Sequence, residues 1–360
     1  MQQTGIAELS MVRKHTRTVQ IDEMRGFAIL LVVLFHAVGS ETGLATSFLG
    51  QLNERLAFVR MPLFIAITGY LYGLERRTRP LNLFGWYKRS SRIFPPFILV
   101  IVICWIISTN SDAPFILING LIFGAWHLWY LQALMVILLI VATLEGFVKP
   151  NRNWHLPLWA IAAFLLSAYG LLNETLWLSI HKAIYLLPYF LVGATVGAMP
   201  GILQSSGFRY FVYICGLTAL ALNEVSLAGA GIIWTDVSLV AAAIGVASFL
   251  TLAMHMPTIT TFRRLGAYSL PIFLWHLPLS AVTSFLMLNP MGIVGHPSVL
   301  AKILVGFTVP IAMSMMAARF APALLVFVGK RVNSQTAIPF QSPLPTIDKA
   351  LLVNSSISPS

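Results

Sequence analysis

RGFAILLVVLFH, residues 25–36, is the first long apolar run of the chain, with an arginine at its start and a histidine deep inside it. On an α-helix, residues eleven apart differ by about 1100°, roughly 20° beyond three full turns, so Arg25 and His36 share one face. At about 1.5 Å per residue they lie about 16 Å apart along the axis. With Arg25 at a membrane surface, His36 stands near the middle of the bilayer, where an ionisable group is costly and needs a partner or a purpose. Two readings stay open from this pair alone. One is a functional imidazole facing a cavity; the other is a neutral imidazole hydrogen-bonded inside a helix bundle.

The rest of the chain repeats the apolar pattern. Of 360 residues, 58% are hydrophobic and only 10% charged, against about 25% charged in soluble domains. The apolar runs are near 20 residues, which predicts an all-α polytopic membrane helix bundle rather than a barrel of alternating segments. Ten spans are expected, at about 26–44, 57–74, 93–109, 128–147, 156–172, 183–199, 210–228, 233–254, 267–287 and 299–320. They divide the chain into a polar cytoplasmic arm at 1–24, a transmembrane domain at 25–329 and a disordered cytoplasmic tail at 330–360, rich in Ser, Pro and Asn. The arm has no cleavage pattern, so the first run reads as an uncleaved signal-anchor.

The net charge of +11 does not point to nucleic acid, because Lys and Arg cluster in short stretches between the apolar runs. With the N-terminus inside, only Arg55, Arg60, Lys182 and Lys302 of the 23 basic residues fall on the outer side. This asymmetry predicts that both termini are cytoplasmic and that the number of spans is even. Cys104 and Cys215 lie inside apolar runs and read as small core residues. No metal-ligand spacing, phosphate loop or serine-nucleophile motif is visible.

Four stretches stand out against the regular apolar pattern. Residues 75–92 form the most basic loop, ending in Arg89-Ser-Ser-Arg92. On the first turn of a helix its two guanidinium groups face one way and suit a phosphate-bearing ligand, or serve as ordinary positive-inside anchors beside anionic lipid. His127-Leu-Trp129-Tyr130-Leu131 reads as an interfacial aromatic belt, or as a functional histidine beside one. Tyr268-Ser269-Leu-Pro-Ile-Phe-Leu-Trp275-His276-Leu-Pro278 places a second histidine inside a span, with prolines on both sides. Proline frees backbone carbonyls, so His276 is either a proton carrier or a structural imidazole on a freed carbonyl. Residues 113–127, which begin Ala-Pro and carry two glycines, read as a re-entrant or interfacial piece. Glu145 falls near an inner helix end within reach of the interface, while Asn223, Glu224 and Asp236 fall near the outer face. His155 and the remaining histidines fall at predicted helix ends or in loops and carry no role.

Together these stretches resemble the acyltransferase 3 family of bacterial membrane proteins, which O-acylate envelope and exported sugars. Ile21-Asp22-Glu23-Met24-Arg25-Gly26 and the run to His36 resemble its opening motif, including the arginine–ten residues–histidine spacing. Met61-Pro-Leu-Phe-Ile-Ala-Ile-Thr68-Gly69-Tyr70-Leu71 is similar to its second-helix pattern, and Arg89-Ser-Ser-Arg92-Ile-Phe-Pro-Pro to its RxxR stretch. The stretches around His127 and His276 match two more, in order, over about 20–280. Thr68-Gly69-Tyr70 departs from the usual Ser-Gly-Phe, and Pro271 interrupts the ninth-helix motif.

The resemblance implies an O-acyltransferase, on family frequency an O-acetyltransferase, in the bacterial inner membrane. It implies acyl-CoA, acetyl-CoA above all, as a co-substrate supplied from the cytoplasm, with no permanently bound cofactor and no metal. The implied acceptor is a hydroxyl of a lipid-linked or nascent polysaccharide, with polysaccharide assembly proteins as further partners. It assigns His36 and Arg25 to catalysis and Arg89 and Arg92 to acyl-CoA. His36 acts either as general base on the acceptor hydroxyl or as a transient acyl carrier, while Arg25 orients the donor. Asp22, His127, Trp129, Tyr130, Tyr268, Ser269, Trp275 and His276 are supporting residues. The competing readings are a lipid or solute transporter, against which there is no internal inverted repeat, and a non-catalytic subunit of a polysaccharide synthase.

Overall fold

The computed structural model describes residues 2–76, 80–107, 118–124, 126–148, 153–169, 177–199, 201–202, 205–227, 243–251 and 259–329. The side chains of 2–19, 42, 57–58, 219–220 and 222–227 are not described. Among the described residues all regular structure is helical, as expected where backbone groups meet lipid and must be paired within their own segment.

In chain order the helices are α1 (Gln2–Gly39), α2 (Phe48–Arg55), α3 (Ala57–Arg76), α4 (Leu83–Ile107), α5 (Trp129–Glu145), α6 (His155–Ala168), α7 (Ile180–Ala198), α8 (Ser206–Leu227), α9 (Thr260–Ala267), α10 (Ser269–Thr283), α11 (His296–Phe320) and α12 (Leu325–Val328). Residues 243–251 are also helical. Five described helices are long and apolar enough to cross a membrane, and a sixth crossing results if Phe48–Arg55 and Val59–Arg76, bent by 43°, count as one. On the outside of the bundle, Leu300, Leu304, Met315 and Met316 of α11 are more than half exposed, an apolar surface suited to acyl chains.

Several sequence expectations are revised. Helix α1 begins at Gln2, well before the predicted start of the first span at 26, and ends at Gly39, short of residue 44. Helix α4 begins at Leu83, so Arg89 and Arg92 stand in its second and third turns rather than at its start. Pro271 does not interrupt α10, since it lies in the first turn, where the missing N–H is not needed. The predicted span 233–254 is described only over 243–251. Residues 113–117, Asp236, the charges Arg77, Arg79, Lys149 and Arg152, and the tail from 330 lie outside the described residues, as do the side chains of Asn223 and Glu224.

The tightest packing joins α3 to α7. Gly69 and Gly73 on α3 face the carbonyls of Phe190 and Ala194, while Gly193 and Gly197 on α7 face those of Ala66 and Tyr70. A Cβ at any of the four would run into the opposing backbone. This is a reciprocal small-xxx-small crossing, in which van der Waals contact replaces the hydrophobic drive that lipid removes. Gly26 of α1 and Gly266 of α9 meet in the same way, against Phe262 and Asp22.

Charge is also spent inside the bundle. Glu145, at the end of α5, is not a free surface carboxylate: it is buried, paired with Arg76, which is 0% exposed, and it accepts a 2.5 Å hydrogen bond from the Tyr72 hydroxyl. Arg76 also donates to Asn153 Oδ1 at 2.9 Å and lies 2.9 Å from His155 Nε2. At the other end of the bundle, Lys302 is a buried partner of Glu41 at 2.6 Å rather than a loop charge, and the same carboxylate accepts from Ser298 Oγ and from the Gly295 amide.

Replacing Gly193 by Val should force α3 and α7 apart and cost about 1–3 kcal/mol or more, read as a lower melting temperature in detergent. Gly207→Ala, on the exposed first turn of α8, should change stability by no more than about 0.5 kcal/mol.

Candidate functional site

Three histidines from distant parts of the chain converge. The His36 ring lies 5.2 Å from that of His276 and 6.2 Å from that of His127, and the latter two are 4.9 Å apart, centroid to centroid. Local chemistry explains how two of them are held. Pro278 has no N–H to give to the carbonyl of Leu274, four residues earlier, and His127 Nε2 takes that carbonyl at 3.3 Å. His276 turns Nδ1 onto the carbonyls of Ile272 and Phe273, at 3.0 and 2.9 Å. Both rings are almost fully buried, and each keeps one nitrogen without a described partner, Nδ1 of His127 and Nε2 of His276. His36 is half-buried, and its imidazole makes no hydrogen bond to any described group. It borders a cavity of about 210 Å³ together with Val32, Phe35, Arg60, Met61, His127, Trp129 and Phe273. Among the described residues no cluster of His, Cys, Asp or Glu has a metal-binding arrangement.

At the other end of α1 and α3 lies a larger cavity of about 830 Å³. Its walls carry Arg25, Lys88, Arg89 and Arg92 together with Thr68, Tyr72 and Glu75. Arg89 is held by Glu75 at 3.1 Å. Between the two lies a third cavity of about 440 Å³, which shares Arg25 and Thr68 with the larger and Phe273 with the smaller. Helix α3 borders all three through one face stepped by four residues: Arg60, Phe64, Thr68 and Tyr72. Phe64, Tyr130 and Phe273 stand between the middle cavity and the histidines, with ring centroids 5.4–6.3 Å apart.

The predicted residues therefore fall into groups. His36, His127 and His276 come together, with Trp129 on the same cavity and Lys182 over its ring at 4.5 Å. Arg25, Arg89 and Arg92 share the large cavity. Asp22, Tyr130 and Ser269 line the middle one. Tyr268 and Trp275 line none of the three. Sequence reasoning did not single out Arg60, Phe64 or Phe273, and assigned no role to Thr68. The four-residue spacing of Arg60, Phe64 and Thr68 on one helix face was the available signal.

Asp22 pairs with Arg25 at 3.6 Å, each side chain about one-third exposed. Burial raises the Asp22 carboxyl above its ordinary range, although the guanidinium groups of Arg25 and Arg263 pull the other way. The folded chain thus holds this proton to higher pH than the unfolded chain. The associated stability is fully present below the ordinary carboxylate pKa, about 3.9, and is lost as pH rises through the window just above it.

Residues 18–317 match the acyltransferase 3 family, described as an Acyltransferase domain. The chain is also similar to the inner membrane protein YcfT of Escherichia coli K12, at 27% identity over 56% of this chain and 63% of that protein. It thus covers less than two thirds of that relative's length. No solved structure matches.

Asp22→Asn should be at least as stable as the parent at neutral pH and should lack the parent's loss of stability just above pH 4. Because the site is partly exposed, the difference should stay under about 1 kcal/mol. Melting temperatures of both proteins from pH 3.5 to 7.5 check this.

Proposed function

The chain belongs to the acyltransferase 3 family, and from that premise we propose that it is a membrane O-acyltransferase carrying an acyl group, acetyl in the first instance, from cytoplasmic acyl-CoA to a hydroxyl of an envelope or exported polysaccharide. The observation that carries the reading is the succession of cavities along α3, from four cations at one end to His36 and His127 at the other, with His276 packed against both. In this reading the chain crosses the bacterial inner membrane ten times, with both termini in the cytoplasm.

The large cavity suits the donor's nucleotide. Arg89, Arg92 and Arg25 offer planar forks to its phosphates, and Glu75, now on Arg89, is the anion that a phosphate displaces. The pantetheine arm then follows α3 past Thr68 and the aromatic rings of Phe64, Tyr130 and Phe273, and the thioester reaches His36. The imidazoles of His127 and His276 are each tied through one nitrogen to backbone carbonyls; His36, on the cavity and tied to no described group, is the imidazole that accepts the proton of the acceptor hydroxyl as it attacks the thioester carbonyl. The alternative use of the same lone pair, direct attack to form an acyl-imidazole, predicts a burst of CoA release in the absence of acceptor.

In a strain lacking the gene, surface and secreted polysaccharide should lose a base-labile ester that wild type restores and His36→Ala does not, with the variant still in the membrane. Unchanged esters with reduced polymer export would favour a transporter or synthase subunit instead. The Arg89→Ala/Arg92→Ala pair should raise KM for acetyl-CoA at least about tenfold, each lost charged hydrogen bond being worth about 1.5–3 kcal/mol, with a smaller change in kcat.

A further inference from the structure

Among the described residues, Arg60 is the only cation that lines the histidine cavity. It is 4% exposed, and its guanidinium lies over the Phe35 ring, 3.7 Å from the centroid. Nε donates to the Leu56 carbonyl at 3.2 Å, Nη1 to Asn53 Oδ1 at 3.1 Å and Nη2 to the Asn53 carbonyl at 2.8 Å. Asn53, itself buried, in turn donates Nδ2 to the Phe35 carbonyl at 3.4 Å. A guanidinium has five N–H groups, so two remain. Among the described residues no carboxylate pairs with Arg60. Arg76, the other buried arginine among the described residues, has Glu145 against it; Arg60 is held by neutral groups alone. An uncompensated cation in a membrane segment is expensive to keep. It is also what a reaction that develops negative charge beside His36 requires: a fixed cation in a site walled by Val32, Met61, Trp129 and Phe273.

We propose that Arg60 is a catalytic residue that stabilises the oxyanion of acyl transfer at His36, and that Asn53 is the residue that positions it. This deepens, and rests on, the acyltransferase reading above. As the acceptor oxygen bonds to the thioester carbon, its proton passes to His36 and the carbonyl π pair moves onto oxygen, where Arg60 meets it. Collapse re-forms the C=O bond and breaks C–S, and the departing thiolate takes the proton back from His36. The products are the ester and free CoA thiol, with both side chains unchanged.

The test uses the full chain in inverted membrane vesicles carrying their own acceptor, with radiolabelled acetyl-CoA added and label counted in the glycan fraction. Arg60→Gln should lower kcat by about 10²–10³-fold while KM for acetyl-CoA moves less than about threefold, and Arg60→Lys should recover part of the loss. Added guanidinium should partly restore Arg60→Ala. Asn53→Ala, which keeps the charge but frees its fork, should lower kcat about tenfold, equivalent to about 1.4 kcal/mol. It carries the test if Arg60→Gln fails to accumulate. A kcat for Arg60→Gln close to that of the parent, a loss confined to KM, or an unchanged Asn53→Ala would overturn the proposal. If wild type transfers label, His36→Ala does not and Arg60→Gln does, the Arg60 assignment alone falls. If wild type transfers none, the acyltransferase reading falls with it.

Discussion

The contact between α3 and α7 is the constraint on which the remaining geometry depends. Four glycines let the two backbones meet, each over a carbonyl of the other helix. In a membrane, apolar burial gives no net advantage over lipid, so the attraction must come from close packing. Helix α3 therefore has no freedom to rotate or slide. The other face of that same helix supplies Arg60, Phe64, Thr68 and Tyr72 to three successive cavities. A one-residue shift in the glycine register would turn that whole row by about 100°, so the packing of one face sets the chemistry of the other.

The second organising rule is that no buried polar group goes unanswered at low cost. The carbonyl released by Pro278 is met by His127 across the bundle, which makes a proline in α10 the reason that a histidine before α5 points as it does. Arg76 and Glu145 tie α3 to α5, and Asn153 with His155 extend that tie to the start of α6. Glu41 joins the end of α1 to the start of α11 through Gly295, Ser298 and Lys302. Burial alone would push the Glu41 carboxyl up, but these hydrogen bonds and the Lys302 charge hold it below its usual range. These ties lie on either side of the histidine cluster and leave His36 as the imidazole without such an obligation.

Much of this was legible in the chain itself. The helical class followed from composition, and helices stand over every predicted span whose residues are described. Arg25, His36, Arg89, Arg92, His127 and His276 stood out as polar residues inside or beside apolar runs. What periodicity could not reveal was that the three histidines meet, because the contact between positions 36, 127 and 276 depends on how helices pack and not on any local repeat. Arg60, Arg76 and Lys302 were counted as loop charges, because charge asymmetry sorts residues by the side of the membrane and is blind to burial. The helical start of α4 was missed for a related reason: Trp86, Tyr87, Lys88 and Arg89 look like loop in hydropathy, although the Trp86 indole reaches the Met135 carbonyl at 3.0 Å and docks the turn.

Arg25 and Thr68 belong to two cavities at once. A shared wall makes the two spaces thermodynamically dependent. An occupant that draws the Arg25 guanidinium toward itself redraws the boundary of the neighbouring space, and the effect is reciprocal: whatever the first occupant does to the affinity of the second, the second does to the first by the same factor. Helix α1 therefore connects the cation-lined mouth to the histidines in a second sense. It spans the distance between them, and through Arg25 it also makes occupancy of the large cavity a condition read in the middle one, the space next to the histidines.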